Sequence, residues 1–289
     1  MKTILSLIAL FLFTSTIYVN GQLQKARKLL RDSKYEEAKL LLEEIIDNDE
    51  KNDSAYYLLG RTLMILKEYE DAADMFEEAV DLEDGNAGYH FALAQAYGAD
   101  AMQSNVISQA FLAPKILSQY ERTVELDPNH AAGRAGLANF YIMAPGIMGG
   151  DLDKAMQQGK FLLKLDEERG RLIMANVLIK MEKLDSADAQ MNLLEQKFGP
   201  KPEYANFYNT YGYFLLGQKR IDEAILKFKK QVELAPKNAN SYDSMGDAYK
   251  AAGKLKEAKA QYEKALKINP DFEASRKNLE EVNKKLRDK

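Results

Sequence analysis

Residues 239–272 read ANSYDSMGDAYKAAGKLKEAKAQYEKALKINPDF, and the spacing within this stretch decides the fold. Tyr242, Met245, Gly246 and Tyr249 recur at helical intervals, Ala258, Tyr262 and Ala265 do so again, and Pro270 closes the stretch. Thirty-four residues earlier stand Tyr208, Tyr211, Gly212, Leu215, Ala224, Phe228 and Pro236. The same frame near the start of the chain gives Tyr56, Leu59, Gly60, Leu63, Ala72, Phe76 and Ala79. Self-similarity at a fixed period marks a repeat architecture, in which each unit buries its apolar face only by stacking on its neighbours.

These positions resemble the tetratricopeptide (TPR) pattern, and the resemblance covers nearly the whole chain after the first residues. It implies that each repeat is a pair of antiparallel helices, A and B. A small residue at the eighth position lets A approach B, and small residues at the twentieth and twenty-seventh do the same from B. The aromatic at the twenty-fourth fills the gap, and proline at the thirty-second stops helix B by disfavouring helix at the residue before it. The expected fold is all-α, a right-handed superhelical solenoid of antiparallel helix pairs spanning 22–272. About seven repeats are expected, at 19–52, 53–86, 87–130, 131–167, 168–204, 205–238 and 239–272, with residues 273–289 as a polar C-terminal capping helix.

The third and fourth repeats break the frame. His90, Leu93, Ala94 and Tyr97 place one helix A, but Tyr120, Thr123 and Pro128 place its helix B 10 residues late. An insertion between the helices is therefore expected within GADAMQSNVISQAFLAPK. In the fourth repeat Ala155, Gly159 and Leu162 arrive 5 residues late, and the insertion is APGIMGGDLDKA, residues 144–155. A glycine loop entering a helix suggests a phosphate cradle, yet this one follows a helix and lacks the GxGxxG or Lys-Ser/Thr spacing. Asp151 and Asp153 fall short of a calcium loop, which needs more oxygen ligands. The plainer expectation is that Pro145 ends helix A and the glycines allow positive φ in a longer turn.

The insertion loop of Pro145, Gly146, Ile147, Met148, Gly149 and Gly150 is thus a candidate functional element beside its neighbour in the third repeat. Ile147 and Met148 are either exposed apolar contacts or packed against the adjacent insertion. The stretch LDPNHAAGRAGLANFYIMAPGIMGGDLDKA also resembles exported bacterial TPR proteins with a PGIxGG turn. That resemblance implies a fold and a compartment but no reaction.

Composition narrows the function classes. The formal net charge of -4 argues against nucleic acid as a partner. Residues 31–86 hold 18 acids against 6 bases, which a solvated helical surface accounts for. No cysteine is present, so disulfides, thiolate metal sites and cysteine nucleophiles are excluded. MKTILSLIALFLFTSTIYVNGQ has the basic start, apolar core and small-residue exit of a secretory signal, with cleavage expected after Gly21. The expected location is periplasmic or secreted, with no stable membrane insertion after cleavage. His130 occupies a loop position and His90 a core position, and no catalytic grouping appears. No enzyme activity, cofactor or metal is expected, and nothing specifies an oligomeric state.

Binding remains. The resemblance implies that helices A line a concave groove, where the ninth positions run Arg27, Arg61, Gln95, Asn139, Asn176, Tyr213 and Asp247. A carboxamide both donates and accepts, so Gln95, Asn139 and Asn176 suit the backbone of an extended peptide. The candidate partner-binding residues are Tyr57, Arg61, Phe91, Gln95, Asn139, Ile142, Met143, Arg169, Leu172, Asn176 and Lys180, with Met64, Ile65 and Ile179 around them. The full cationic set that clamps a C-terminal carboxylate in some TPR co-chaperones is not reproduced. The expected function is a non-catalytic scaffold or adaptor of the bacterial cell envelope that binds proteins or peptides in the groove. The alternative is an accessory subunit that docks an envelope enzyme or an assembly complex by its outer surface and insertions.

Overall fold

Most A helices after the first start at a side chain that accepts from one of their leading N–H groups. Asn52 accepts from Ala55 N, Asn86 from Gly88 N and Asp166 from Arg169 N. The computed structural model describes residues 21–288, so the expected signal segment lies outside the described residues apart from Gly21. Fifteen helices follow one another among the described residues, and no strand does. They are α1 (21–31), α2 (Tyr35–Asn48), α3 (Asp53–Leu66), α4 (Tyr69–Leu82), α5 (Ala87–Gln103), α6 (Val106–Leu126) and α7 (Ala131–Met143). After a 3-10 turn come α8 (Leu152–Leu162), α9 (Glu167–Lys180), α10 (Leu184–Phe198), α11 (Ala205–Gly217), α12 (Ile221–Leu234), α13 (Ala239–Ala251), α14 (Leu255–Ile268) and α15 (Glu273–Arg287). None of them is long and apolar enough to cross a membrane.

The chain divides into two compact units between Asp151 and Leu152, inside the glycine turn that separates the two helices of the fourth repeat. In the first unit, α2 to α7 pack each on the next, and α3 also reaches α5. In the second, α9 packs on α8, α10 and α11, α13 on α11, α12 and α14, and α15 closes over α13 and α14. Odd-numbered helices up to α13 are the A helices and even-numbered ones the B helices.

The small-residue rule operates at atomic contact. A Cβ placed on Gly60 would lie 2.7 Å from the ring of Phe76. At Gly212 it would lie 2.5 Å from Phe228, and at Gly246 it would lie 2.5 Å from Tyr262. Phe76, Phe228 and Tyr262 are fully buried by this approach, and each such burial stabilises by roughly 1.5–3 kcal/mol.

Five A–B turns share one backbone device. Ser33, Lys67, Glu182, Lys219 and Gly253 each take a left-handed conformation, with φ between 58° and 70°. One such residue reverses the chain so that helix B folds back on helix A. The five belong to the first, second, fifth, sixth and seventh repeats.

The third repeat departs from its expected form. The extra residues do not make a loop: they lengthen α5 to 17 residues and α6 to 21, where α3, α4 and α12 each have 14. The turn is only Ser104–Asn105, and Asn105 accepts from Ile107 N and Ser108 N to start α6. AMQ and VISQAFLA contain no helix breaker, so continuing both helices satisfies more backbone groups than a loop would. Pro114 is tolerated inside α6 on an exposed position.

Candidate interaction surface on the A helices

In the first unit the ninth-position side chains are free of internal duties. Arg61, Gln95 and Asn139 are exposed and Arg27 is half-buried. None of the four makes a side-chain hydrogen bond or ion pair among the described residues, although Arg61 lies over the Tyr57 ring at 5.8 Å. Tyr57 is half-buried against Phe76 and Tyr89, with ring centroids 5.8 and 4.9 Å away. Phe91 is half-buried between Tyr120 and His130, at 6.2 and 4.9 Å. Ile142 is half-buried and Met143 exposed at the end of α7. Arg27, Arg31 and Arg61, with Leu30, Tyr35, Leu58 and Ile65, line an open groove of about 260 Å³.

The second unit treats the same row differently. Asn176 is half-buried and donates from Nδ2 to the Leu172 carbonyl of its own helix at 3.1 Å. The Tyr213 hydroxyl donates to Asp247 Oδ2 at 2.9 Å, and Tyr262 donates to Asp247 Oδ1 at 2.7 Å. Asn278 Nδ2 donates to the same oxygen at 3.3 Å, and Lys250 Nζ sits 3.7 Å from it. Burial first, and then the Asp247 carboxylate, push the Tyr213 and Tyr262 hydroxyls well above the usual phenol range. Asp247 is therefore spent on holding α11, α13, α14 and α15 together. Arg169 is exposed, with Nε 3.5 Å from Asp166, Lys180 is exposed, and Leu172 is half-buried against the core. Ile179 does not line a groove: it is 0 % exposed, because its side of α9 carries the core of the second unit.

The glycine turn is closed on itself. Ala144 is extended, as the residue before Pro145 must be, and α7 ends there. Met148 N and Gly150 N donate to Pro145 O, Gly149 N to Gly146 O, and Asp151 N to Tyr141 O. These N–H groups, which a phosphate cradle would aim outward, are consumed internally. Gly149 has φ 94°, and a Cβ on Gly150 would lie 1.8 Å from Ala144 O. Ile147 is 95 % exposed, whereas Met148 is half-buried.

Residues 101–114, and residues 135–150 that run into this turn, hold no charged residue. They carry exposed Met102, Val106, Ile107, Phe111, Met143 and Ile147. The sequence reading missed the α5–α6 part of this set. Its signal was the fourteen-residue lapse in charge within a chain that is 29% charged.

The two histidines are structural. His90 is buried, its Nε2 2.9 Å from Asp84 O and its Nδ1 2.6 Å from the Gln119 carboxamide. His130 accepts from Gly133 N at 2.9 Å and so caps α7. Glu77, placed by the sequence among solvated charges, instead accepts from the Tyr97 hydroxyl and from Lys115.

This arrangement of helix pairs is that of the tetratricopeptide repeats. Two profiles of the family, each described as tetratricopeptide repeat, match residues 23–89 and residues 205–238 and 239–272. The chain is a tetratricopeptide repeat protein. It is similar in fold to a tetratricopeptide repeat protein from Parabacteroides merdae ATCC 43184, with a TM-score of 0.69 and 17% identity over 91% of this chain and 98% of that one. It is also similar in fold to the APC/C hetero-tetramer Cut9-Hcn1, with a TM-score of 0.58 and 13% identity over 89% of this chain and 48% of that one. A sequence relative is human protein O-mannosyl-transferase TMTC1, 26% identical over 173 residues, 58% of this chain. The chain spans only 19% of that relative's length. The repeat fold is that of a protein-interaction scaffold.

Proposed function

We propose that this protein is a non-catalytic scaffold of the bacterial cell envelope that binds protein or peptide partners along its A helices. One observation carries the reading. Arg61, Gln95 and Asn139 are presented on rigid helices, exposed, and without an internal hydrogen-bond partner among the described residues. Polar groups that neither pack nor cap are available to a ligand, and a carboxamide pairs with both faces of a peptide unit. The secretory pattern of residues 1–21 supports export, which N-terminal sequencing of the processed chain tests by finding Gln22 first.

The binding test is cross-linking and co-purification from envelope extract, comparing wild type with Gln95→Ala/Asn139→Ala. Loss of captured partners supports binding by the A helices of the first unit. Identical partners with both proteins would sink that assignment.

The exposed apolar set gives the accessory-subunit reading its own footing. If capture survives Gln95→Ala/Asn139→Ala but fails with Phe111→Ser/Ile147→Ser, docking runs through the uncharged segments instead.

A further inference from the structure

The first half of α6 is inverted relative to an ordinary surface helix. Its residues 106–114 read VISQAFLAP. Val106, Ile107, Ala110, Phe111 and Pro114 recur at intervals of three and four, which sets them along one face, and all five are exposed. Val106, Ile107 and Phe111 are 70, 71 and 75 % exposed. The polar residues do not take that face. Ser108 and Gln109 are half-buried, and Gln109 Nε2 donates to Ser104 O at 3.0 Å. The inner face is apolar as well, with Ala113 and Ile116 buried and Leu112 half-buried. A helix that is apolar all round is one that is covered all round.

The patch extends past α6. Exposed Met102 stands across the Ser104–Asn105 turn, and the Gly146–Met148 turn, which carries Ile147, packs on α6. The exposed apolar side chains of the two uncharged segments offer on the order of 800 Å², which is what one partner contributes to a standard-size interface. Single exposed apolar residues need no explanation, but a patch of this size marks a contact.

Charge selects the occupant. A twofold contact sets the same surface of two copies face to face, so any charge near the axis meets its like. In a chain that is 29% charged, residues 101–114 carry none, and the bordering Lys115 is held by Glu77. A helix that lies on a bilayer carries lysines or arginines beside its apolar stripe, and these fourteen residues supply none. An extended peptide needs a sheet edge or a groove, and a convex helix face is neither. Ala110, small and midway along the stripe, leaves room for a second helix to approach.

We infer that a second copy of this chain covers this face, α6 packing on α6 across a twofold axis with Ala110 and Phe111 beside it. The inference goes beyond the scaffold reading, which is decided by partner capture alone.

The test is sedimentation velocity on the purified chain over a hundredfold range of concentration. The mass of wild type is expected to rise from that of one chain to that of two. Phe111→Glu is expected to weaken dimerisation at least tenfold and to keep the wild-type circular dichroism spectrum and melting temperature, because little of Phe111 is packed. Leu226→Glu, at a site 62 % exposed in the second unit, is expected to dimerise as wild type. Phe111→Lys should weaken dimerisation like Phe111→Glu. An equimolar mixture of the two should dimerise again, since opposite charges then meet across the axis.

A wild type that stays a single chain at every concentration overturns the inference. So does dimerisation unchanged by Phe111→Glu, or a mixture of the Glu and Lys variants that does not associate. Single chains that bind vesicles of phosphatidylcholine and phosphatidylglycerol through Phe111 would overturn it in favour of lipid. Single chains that capture a different protein through Phe111 would overturn it in favour of the accessory-subunit reading. Failure on any of these counts leaves the Gln95→Ala/Asn139→Ala test of the scaffold reading untouched.

Discussion

Tyr213 and Asp247 stand 34 residues apart at the same position of successive repeats, and the tyrosine hydroxyl donates to the carboxylate at 2.9 Å. The bond turns a periodic sequence position into a physical tie between α11 and α13. Tyr213→Phe should cost about 1 kcal/mol, and a cycle with Asp247→Asn should give a coupling of roughly 0.5–1.5 kcal/mol. Urea unfolding measures both. Strictly additive losses would mean that the pair contributes only through its separate contacts.

The glycines under the aromatic rings set a sign that helix propensity alone gets wrong. Gly212→Ala gains about 1 kcal/mol of propensity but drives a Cβ to within 2.5 Å of Phe228 in a filled core. Overpacking of this kind costs about 1–3 kcal/mol, so a net loss is expected. Gly217→Ala is the companion, since a Cβ there meets nothing within 4 Å. It should be neutral or stabilising by a few tenths of a kcal/mol. Thermal melts that rank the two variants the other way would refute the close-approach argument.

Left-handed Lys67 and Lys219 lead to the opposite use of glycine. At φ 68° and 60° each pays a steric cost that glycine does not. Lys67→Gly and Lys219→Gly should each raise stability by roughly 0.5–1 kcal/mol, after the entropic loss of glycine is included. A lowered urea midpoint in both would show that the lysine side chains contribute more than the turn strain removes.

Asp243 carries the pH dependence. It is only 5 % exposed, and burial raises its carboxyl above the usual 3.8, partly opposed by the hydrogen bond from Ser275 at 2.5 Å. A carboxyl with a raised folded pKa binds its proton more tightly in the folded state. Its contribution is therefore fully present below about pH 3.8 and is lost as pH rises through the higher folded value. Asp243→Asn keeps an acceptor for Ser275 and removes the buried charge. The variant should match or exceed wild type at pH 7, with the advantage shrinking as the pH falls toward 3.8. A wild type that stays the more stable at pH 7 would mean that the ionised carboxylate is better satisfied than its burial implies.

Most of the helical frame was legible because its signals are steric and periodic. Gly60, Gly212 and Gly246 oppose their aromatic partners as the repeat resemblance implies, and Pro145 ends α7 as the restriction on the residue before proline predicts. The third repeat was not legible in the same way. A register gap counts inserted residues but does not say whether they bend or continue a helix. There the decision lay with Asn105, a cap hidden in an ordinary polar stretch.

The candidate surface was legible as a list of positions and not as a state of bonding. Asn139 and Asn176 are equivalent in sequence, yet Asn139 is exposed without an internal hydrogen bond while Asn176 bonds its own helix. Ile179 and Met64 share the twelfth position of their repeats, but Ile179 is fully buried in the core and Met64 only half-buried. Such differences depend on neighbours that periodicity does not record.

The shared left-handed turn residue makes the repeats at the two ends of the chain interchangeable parts. Units whose helices are joined through Ser33, Lys67, Glu182, Lys219 or Gly253 present the same geometry at that joint, so one can be duplicated or exchanged for another. The middle of the chain does not share that freedom. Moving Gly149 or Gly150 by one place puts a side chain against the Ala144 carbonyl or at positive φ. Tandem duplication should therefore be tolerated at the repeats joined through the shared turn, and resisted at the fourth repeat, whose turn needs glycine at 149 and 150.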